Sequence, residues 1–269
     1  MIRTPFLARQ ERFDVVGSTN DVVRGWLEDG VPEVCLAVAD EQSAGRGREG
    51  RTWTAPAGRA LLLSLGFRPT WLPPDRVWRL AAVTSLAMAD AAEDLAGLAP
   101  GTIRLKWPND LVVETDGAVR KLAGVLGETD GLGTADPRAV VGIGINADWP
   151  ADDFPPELAV GMTSLRAISV NGRCDCASLL TAFTGSLEAM VEQLRQDAFD
   201  GAGWQERQLT NGRLVRLIGH DGREEVVRAL GVDPATGALS VASHSGSAGG
   251  VPRSVISGEI QHLRLDGGV

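Results

Sequence analysis

A ten-residue segment of the chain, residues 42–51, concentrates residue types that bind anions. Its sequence is Gln-Ser-Ala-Gly-Arg-Gly-Arg-Glu-Gly-Arg, with three arginines among three glycines. Glycine lets main-chain N–H groups approach an anion closely, and each guanidinium presents a planar fork of donors that matches phosphate or carboxylate. This segment, called the glycine–arginine loop below, is predicted to bind an anion. An ordinary solvated turn is the alternative that the loop alone leaves open.

Two glycine patterns resemble nucleotide-binding fingerprints, and their surroundings disfavour both. Residues 45–52 nearly fit G-x-x-x-x-G-K-[ST], but Arg51 replaces the lysine and Trp-Thr-Ala-Pro-Ala-Gly follows, which cannot begin the helix that a P-loop requires. Residues 142–147, Gly-Ile-Gly-Ile-Asn-Ala, fit the dinucleotide fingerprint, but Asp-Trp-Pro follows and excludes its helix. We interpret the latter glycines as positions where a ligand or another segment approaches the backbone closely.

Three other motifs place polar side chains beside predicted elements. Gly-Ser-Thr-Asn at residues 17–20 precedes apolar residues with helical spacing. Lys-Trp-Pro-Asn-Asp at residues 106–110 puts a cation and a carboxylate around a rigid turn, and Lys121 stands at the start of an apolar strand. A well-formed hairpin and a surface lysine with its stem on apolar residues are the plainer interpretations of the last two motifs.

The elements that would position these motifs are strands and three main helices. Apolar runs predict strands at residues 34–39, 61–65, 103–107, 111–113, 122–127 and 140–145. Helical spacing predicts one helix beginning near residue 18 and others at residues 74–98 and 178–199. We therefore predict an α+β fold, a mixed and mainly antiparallel sheet with flanking helices. The glycine–arginine loop would join two of its core strands.

The pattern changes after residue 211. Short strand-like runs at residues 214–218, 225–232, 238–242 and 255–265 alternate with turns, including a Ser/Gly segment around residues 246–250. These runs predict a small β-barrel packed on the first domain. The predicted domains are residues 1–211 and residues 212–269.

Composition argues against several classes of function. The chain has 26 Lys and Arg against 35 Asp and Glu, a net charge of −9, so general attraction to nucleic acid or anionic lipid is not expected. No membrane-spanning run or signal peptide is recognised, so we predict a cytoplasmic protein without a membrane partner. The three cysteines lack zinc-binding spacing, and no metal ligand is predicted.

Five motifs, in chain order, closely resemble the signature of the biotin protein ligases. They are Gly-Ser-Thr-Asn (17–20), Gln-Ser-Ala-Gly-Arg-Gly-Arg (42–48), Lys-Trp-Pro-Asn-Asp (106–110), Lys-Leu-Ala-Gly (121–124) and Gly-Ile-Gly-Ile-Asn (142–146). The resemblance implies a catalytic biotin- and ATP-binding domain related to class II aminoacyl-tRNA synthetases and lipoate ligases, followed by an SH3-like C-terminal domain. Larger members carry an N-terminal DNA-binding domain. Only sixteen residues precede Gly17, so no nucleic-acid partner is expected.

The resemblance implies a two-step enzyme, a biotin–[biotin carboxyl carrier protein] ligase. Biotin and ATP, with Mg²⁺, would give biotinyl-5'-AMP and pyrophosphate, and a lysine of an acceptor protein would then take the biotinyl group. The implied acceptor is the biotin carboxyl carrier domain of acetyl-CoA (acyl-CoA) or pyruvate carboxylase. The protein would be a monomer or a ligand-dependent homodimer.

The resemblance also implies roles for individual residues. Those that would hydrogen-bond the biotin head group are Ser18, Thr19, Asn20 and Gln42. The predicted catalytic residues are Arg46, Arg48, Asp110 and Lys121, with Gly47 and the two arginines folding over the mixed anhydride, Lys121 on a carboxyl oxygen and Asp110 beside the attacking amine. The remaining predicted ligand-binding residues are Gly45, Trp53, Lys106, Asn109, Gly124, Gly144 and Asn146.

The resemblance leaves one expectation about motion and two competing functions. The glycine–arginine loop should be mobile without ligand, because its arginines repel one another and no apolar anchor lies between Ala44 and Trp53. Ligation of lipoate or octanoate is the nearest competing activity. A non-catalytic biotin or adenylate sensor is the competing function of a different class.

Overall fold

The architecture is taken from a computed structural model that describes residues 4–115, 117–219, 221–244 and 250–262. The strands are β1 (Arg9–Val16), β2 (Cys35–Gln42), β3 (Ala60–Phe67), β4 (Arg104–Lys106), β5 (Asp110–Thr115), β6 (Ala118–Asp130), β7 (Arg138–Asn146), β8 (Leu214–Ile218), β9 (Glu224–Val232), β10 (Leu239–Ser243), β11 (Arg253–Val255) and β12 (Glu259–His262). The helices are α1 (Thr19–Glu28), α2 (Arg79–Ala96), α3 (Pro156–Ala159), α4 (Leu165–Ile168), α5 (Cys176–Arg195) and α6 (Gly201–Glu206).

Strands β1 to β7 form one seven-stranded sheet in the order β1-β2-β3-β7-β6-β5-β4. Strands β1 and β2 pair in parallel, and each of the other neighbouring pairs is antiparallel. The prediction of a mixed, mainly antiparallel sheet in an α+β fold is therefore confirmed. The glycine–arginine loop joins β2 to β3, as expected, and the segment at residues 107–109 joins β4 to β5.

Strand β1 is the element of this sheet that the sequence pattern does not predict. Its sequence, Arg-Gln-Glu-Arg-Phe-Asp-Val-Val, is largely polar, and most of its residues are exposed. An edge strand needs a partner on one side only, here β2, and little of its surface is covered. The strand can therefore form through backbone pairing without an apolar run in its sequence.

Helices cover both faces of the sheet. Cys35 and Ala37 of β2 pack in a cluster with Val23 and Leu27 of α1. The alternate residues of β2 belong to the larger core, which also contains the apolar faces of α2 and α5. Because successive side chains of a strand point to opposite faces, α1 lies on one side of the sheet and the α2–α5 pair on the other.

The two long predicted helices exist with shifted ends. Helix α2 begins at Arg79 rather than near residue 74, because Pro74–Arg76 form a separate 3₁₀ turn, and it ends before Gly97, whose φ is +67°. Helix α5 begins after Asp175, whose carboxylate accepts a hydrogen bond from Ser178 N at 2.8 Å. None of the helices in the described ranges is both long and apolar enough to cross a membrane.

The strands after residue 211 form a second sheet in the order β11-β10-β9-β8-β12. The predicted run at residues 255–265 is divided between β11 and β12, and its last three residues lie outside the described ranges, as does most of the predicted Ser/Gly segment. A small C-terminal sheet is therefore confirmed. The predicted barrel is not confirmed, because the described strands form an open sheet in which β11 and β12 are the edges and are not paired with each other.

Candidate active site

A pocket of about 310 Å³ opens beside the N-terminal end of α1 and beneath the glycine–arginine loop. The predicted site residues on its wall are Ser18, Thr19, Asn20, Gln42, Arg46, Gly47, Arg48, Trp53, Asn109, Asp110, Lys121, Gly124 and Gly144. These residues come from five separate parts of the sequence. The fold thus brings most of the predicted site residues around one cavity.

One end of the pocket is a hydrogen-bonded polar cluster. The main-chain N and the Oγ1 of Thr19 donate to Gln42 Oε1, at 2.8 and 3.0 Å. Ser64 Oγ lies 2.7 Å from Thr19 Oγ1 and 2.5 Å from Asn20 Oδ1. Thr19 and Asn20 are both buried. The donors and acceptors of this end are therefore held in fixed orientations before any ligand arrives.

Two glycines of β7 leave the space that these side chains occupy. A Cβ atom added at Gly142 would collide with Asn20 Oδ1. One added at Gly144 would lie 2.7 Å from Nε1 of Trp53. The Gly-x-Gly pattern therefore serves close approach of side chains to the sheet, as the sequence analysis expected.

The middle of the pocket contains an ion pair beneath an indole ring. Lys121 Nζ lies 2.6 Å from Asp110 Oδ1, although that oxygen has no partner at hydrogen-bonding angles in the described part of the chain. The ammonium also lies 5.4 Å from the ring centroid of Trp53. A cation, a carboxylate and an aromatic face are thus available at one point.

The glycine–arginine loop is attached on two sides by its arginines. Arg46 makes a two-pronged contact with Asp21 of α1, with both N–O distances at 2.7 Å, and this hydrogen bonding lowers the pKa of the Asp21 carboxyl. Arg48 Nη1 donates to the carbonyl of Gly258 at 3.2 Å, and Arg51 Nη1 donates to Glu259 at 2.9 Å. Each arginine therefore has a partner that the sequence did not reveal. Mobility of the loop without ligand stays a prediction.

A second cavity, of about 340 Å³, adjoins the first and shares Arg48, Asn109 and Asp110 with it. Lys106 lines this second cavity, and burial lowers the pKa of its ammonium. Within the described ranges Lys106 makes no salt bridge with a carboxylate, which leaves a partly buried cation facing open space. This cavity therefore favours an anionic group next to the first pocket.

Comparison with known proteins identifies the family. The model of the biotin/lipoate A/B protein ligase family matches residues 13–146. The biotin–[acetyl-CoA-carboxylase] ligase of Mycobacterium tuberculosis is 31% identical over 258 residues, which cover 94% of this chain and 90% of that protein. This chain belongs to the biotin protein ligase family.

Two further relatives differ in how much of their length is matched. The bifunctional ligase/repressor BirA of Bacillus spizizenii is 34% identical over 156 residues, and the match spans 58% of this chain but 46% of that protein. The structure of the Aquifex aeolicus biotin protein ligase in complex with biotin and ATP has a TM-score of 0.75 at 24% identity, and the match covers 95% of this chain and 99% of that one. At this identity the structural likeness shows the fold alone.

Besides Lys106, two of the residues predicted to bind ligand are not on the wall of the first pocket of this biotin protein ligase family member. Asn146 is fully buried, and its Nδ2 donates to the carbonyl of Thr163 at 3.0 Å. Gly45 accepts a hydrogen bond from Trp53 N at 3.0 Å through its carbonyl and shapes the base of the loop. Their direct contact with ligand is not supported by this arrangement and stays a prediction.

The sequence analysis missed several residues of the site. Ser64 lies within an apolar run of β3, and Glu128 lies near the end of β6, where neither has a local pattern. Leu158 and Met162 reach the pocket because their segment lies beside Lys121, where Lys121 N donates to Gly161 O at 2.8 Å. Only the pairing of residues far apart in the chain identifies them.

A resident metal site would need several His, Cys, Asp or Glu side chains close together. In residues 4–115, 117–219, 221–244 and 250–262, no group of three or more His, Cys, Asp and Glu is arranged to bind a metal ion. The described side chains thus offer no resident metal site.

Proposed function

We propose that this chain is an ATP-dependent biotin protein ligase that forms biotinyl-5'-AMP and transfers the biotinyl group to a lysine of a carrier domain. The observation that carries the proposal is the pocket itself. A polar cluster at Thr19, Asn20 and Gln42, an ion pair of Lys121 with Asp110, and the loop arginines surround one cavity. Membership of the family and the name of the M. tuberculosis relative support the same activity.

In the first step, a biotin carboxylate oxygen attacks the α-phosphorus of ATP and the bond to the β-phosphate breaks, which releases pyrophosphate. Lys121 would hold the carboxyl group, and Arg46 and Arg48 would stabilise the charge that develops on phosphorus. Lys106, which lines the adjoining cavity, would attract the departing phosphates. Loss of one such fixed donor typically raises the barrier by ~3–4 kcal/mol. Mg²⁺ would arrive with ATP and screen its phosphates.

In the second step, the neutral amine of an acceptor lysine attacks the acyl carbon of the adenylate, and the bond to AMP breaks. The amine must lose a proton as the amide forms, and Asp110 would take that proton. Asp110 would accept a hydrogen bond from that amine once Lys121 has turned to the carboxyl oxygen, because the two side chains are paired at 2.6 Å. The ion pair would thus keep the carboxylate in place until it is needed.

The partners and location of the ligase are part of the proposal. The acceptor would be the biotin carboxyl carrier domain of acetyl-CoA or pyruvate carboxylase, in the cytoplasm. We also propose that residues 1–211 form the catalytic domain and residues 212–269 an SH3-like domain, whose five described strands support it. Nucleic acid has no part in this proposal, and the ligase would act as a monomer or a ligand-dependent homodimer.

Exchange of labelled pyrophosphate into ATP tests the proposal without an acceptor. The purified protein should catalyse exchange with biotin but not with lipoate, octanoate or no acid, and Lys121→Ala should reduce exchange at least ~100-fold, because a charged donor is lost. Exchange with lipoate instead would assign the chain to the sister activity. Tight biotin binding without exchange would indicate a sensor and would refute the ligase.

A further inference from the structure

The carboxylate of Glu128 lies between the polar cluster of the pocket and the glycine–arginine loop. Its Oε2 accepts a hydrogen bond from Asn20 Nδ2 at 2.6 Å. The same oxygen lies 2.8 Å from Arg24 Nη2 and 3.8 Å from Arg46 Nη2. One carboxylate oxygen therefore faces a residue of the ligand-binding cluster and a residue of the loop.

The Asn20 amide depends on Glu128 for its orientation. Ser64 Oγ lies 2.5 Å from Asn20 Oδ1, and Glu128 takes the Nδ2 end. An ionised carboxylate only accepts hydrogen bonds, so the end of the amide that faces it must be the NH₂ group. Asn20 is 5% exposed, and water therefore offers little alternative to these two partners. Both ends of this amide are fixed by the protein.

The loop side of the arrangement is a four-residue charge cluster of Asp21, Arg24, Arg46 and Glu128. The two terminal nitrogens of Arg46 donate to the two carboxylate oxygens of Asp21, both at 2.7 Å. Arg24 donates to Asp21 at 2.6 Å and pairs with Glu128. Two cations and two carboxylates balance, so removing the charge of Glu128 leaves the arginines in excess. Their mutual repulsion would then act against the closed position of the loop.

We propose that Glu128 is a positioning residue that couples occupancy of the Asn20 side of the pocket to closure of the glycine–arginine loop. This inference rests on the proposed function. One carboxylate contacts both the Asn20 amide and Arg46, so the arrangement that binds biotin is also the arrangement that attracts Arg46 to the closed position of the loop. The loop is then closed when ATP arrives. Binding of biotin and of the nucleotide would be mutually favourable, and linkage requires each to strengthen the other by the same factor.

Two substitutions at this position separate the roles of the side chain. Glu128→Gln keeps an oxygen that accepts from Asn20 but removes the charge that faces the arginines. Glu128→Leu removes both. Glu225→Gln is the matched control, because Glu225 also pairs with an arginine, Arg253, but lies in the C-terminal sheet.

The experiment measures biotin affinity by calorimetry, with and without the non-cleavable nucleotide α,β-methylene-ATP, in the full-length protein. For Glu128→Gln we expect the coupling factor, which is the ratio of the biotin affinities with and without nucleotide, to fall about fivefold. Glu128→Leu should lose affinity for biotin alone as well. Glu225→Gln should change neither quantity. Unchanged coupling in Glu128→Gln would overturn the proposal.

A second measurement follows the coupling in the unaltered protein as the salt concentration changes. The cluster is partly exposed, with side-chain exposures of 30% for Glu128 and 38% for Arg46, so salt should screen it. Raising the salt concentration should therefore reduce the coupling factor of the unaltered protein towards that of Glu128→Gln, whereas Glu128→Gln should show no such decrease. Equal salt dependence in both proteins would contradict the inference. Failure of the unaltered protein to bind biotin would instead refute the proposed function.

Discussion

At the scale of single residues, the shape of the pocket depends on two glycines of β7 that have no side chain. Asn20 reaches over β7 because Gly142 has no side chain, and Trp53 lies against Gly144 for the same reason. A buried polar group that loses its partners costs about 1–3 kcal/mol, which is a large effect for one methyl group. Both glycines are therefore as important to the site as the polar residues above them.

Gly142→Ala should weaken biotin binding about tenfold or more, because its Cβ would displace the Asn20 amide from Ser64 and Glu128. Gly127→Ala is the control: it lies on the adjacent strand β6, and its Cβ would meet only Ala81 Cβ, at 3.9 Å. Calorimetric titration of both variants with biotin checks the prediction. Equal affinity in the two variants would show that Asn20 does not position the head group.

At the scale of elements, the glycine–arginine loop lies in the connection between β2 and β3 and contacts both helix α1 and the second sheet. On one side Arg46 reaches Asp21 at the start of α1, and on the other side Arg51 and Arg48 reach β12 and the residue before it. Loops that carry function are usually held by few contacts, so that they can open for ligand. The C-terminal sheet therefore contributes to the resting position of this loop.

Glu259→Gln should release one side of the loop in the ligand-free protein. Arg51 is more than half exposed, so its ion pair with Glu259 is modest, and we expect tryptic cleavage after Arg46, Arg48 or Arg51 to become about two- to fivefold faster. Saturating biotin and α,β-methylene-ATP should abolish the difference, because ligand replaces the lost partner. The control Glu225→Gln should be cleaved at the original rate. A rate unchanged by Glu259→Gln would mean that β12 does not restrain the loop.

The elements differ in how visible they are in the sequence. Strand β3 and helix α2 are predictable, because burial on both sides gives them long apolar runs. Strand β1 is not predictable, because an exposed edge strand is held by backbone pairing and does not need apolar side chains. The three-residue strand β11 and the split of the last predicted strand are set by turns of the second sheet, and no periodicity reports them.

At the scale of the whole molecule, the two sheets are joined by a mixed set of contacts. Arg213, before β8, pairs with both oxygens of Glu114 in β5, at 2.8 and 2.7 Å. Trp107 Nε1 donates to the carbonyl of Gly237 at 3.1 Å. His262, on β12, lies near Lys106 and Arg213, and burial together with these cations lowers the pKa of its imidazole to about 4. The contact region between the two sheets therefore contains a histidine whose neutral form is favoured.

Stability should consequently fall when the pH is lowered from about 6.5 to about 4. In that range the unfolded chain protonates His262 at its ordinary pKa near 6.5, whereas the folded protein keeps it neutral, so protons favour unfolding. Between pH 7 and 5 the loss should be about 2 kcal/mol, or roughly 4–8 °C in Tm. Thermal melts of His262→Gln should show a smaller decrease over this interval. His244→Gln, at an exposed position, should melt like the original protein. Parallel pH profiles for all three proteins would contradict the assignment.

The sequence by itself determined the local chemistry of this protein. The glycine–arginine loop, the Lys-Trp-Pro-Asn-Asp turn and Lys121 are recognisable because each combines special residue types within a few positions. The mainly antiparallel sheet and its long helices follow from apolar runs of the right period, which are also local. Thirteen of the residues that these local patterns predicted for the site line one pocket.

Only the tertiary structure decided which partners these residues have. Asn20 and Glu128 are 108 positions apart, and Arg51 and Glu259 are 208 apart, so no local pattern connects them. Glu128 and Glu259 are ordinary surface residue types, and their role depends on which distant residues the fold brings next to them. For the same reason the sequence did not show that Asn146 is buried in the core or that Lys106 lines a second cavity, although both belong to recognisable motifs. Residue type is encoded locally, whereas electrostatic pairing depends on distance in space.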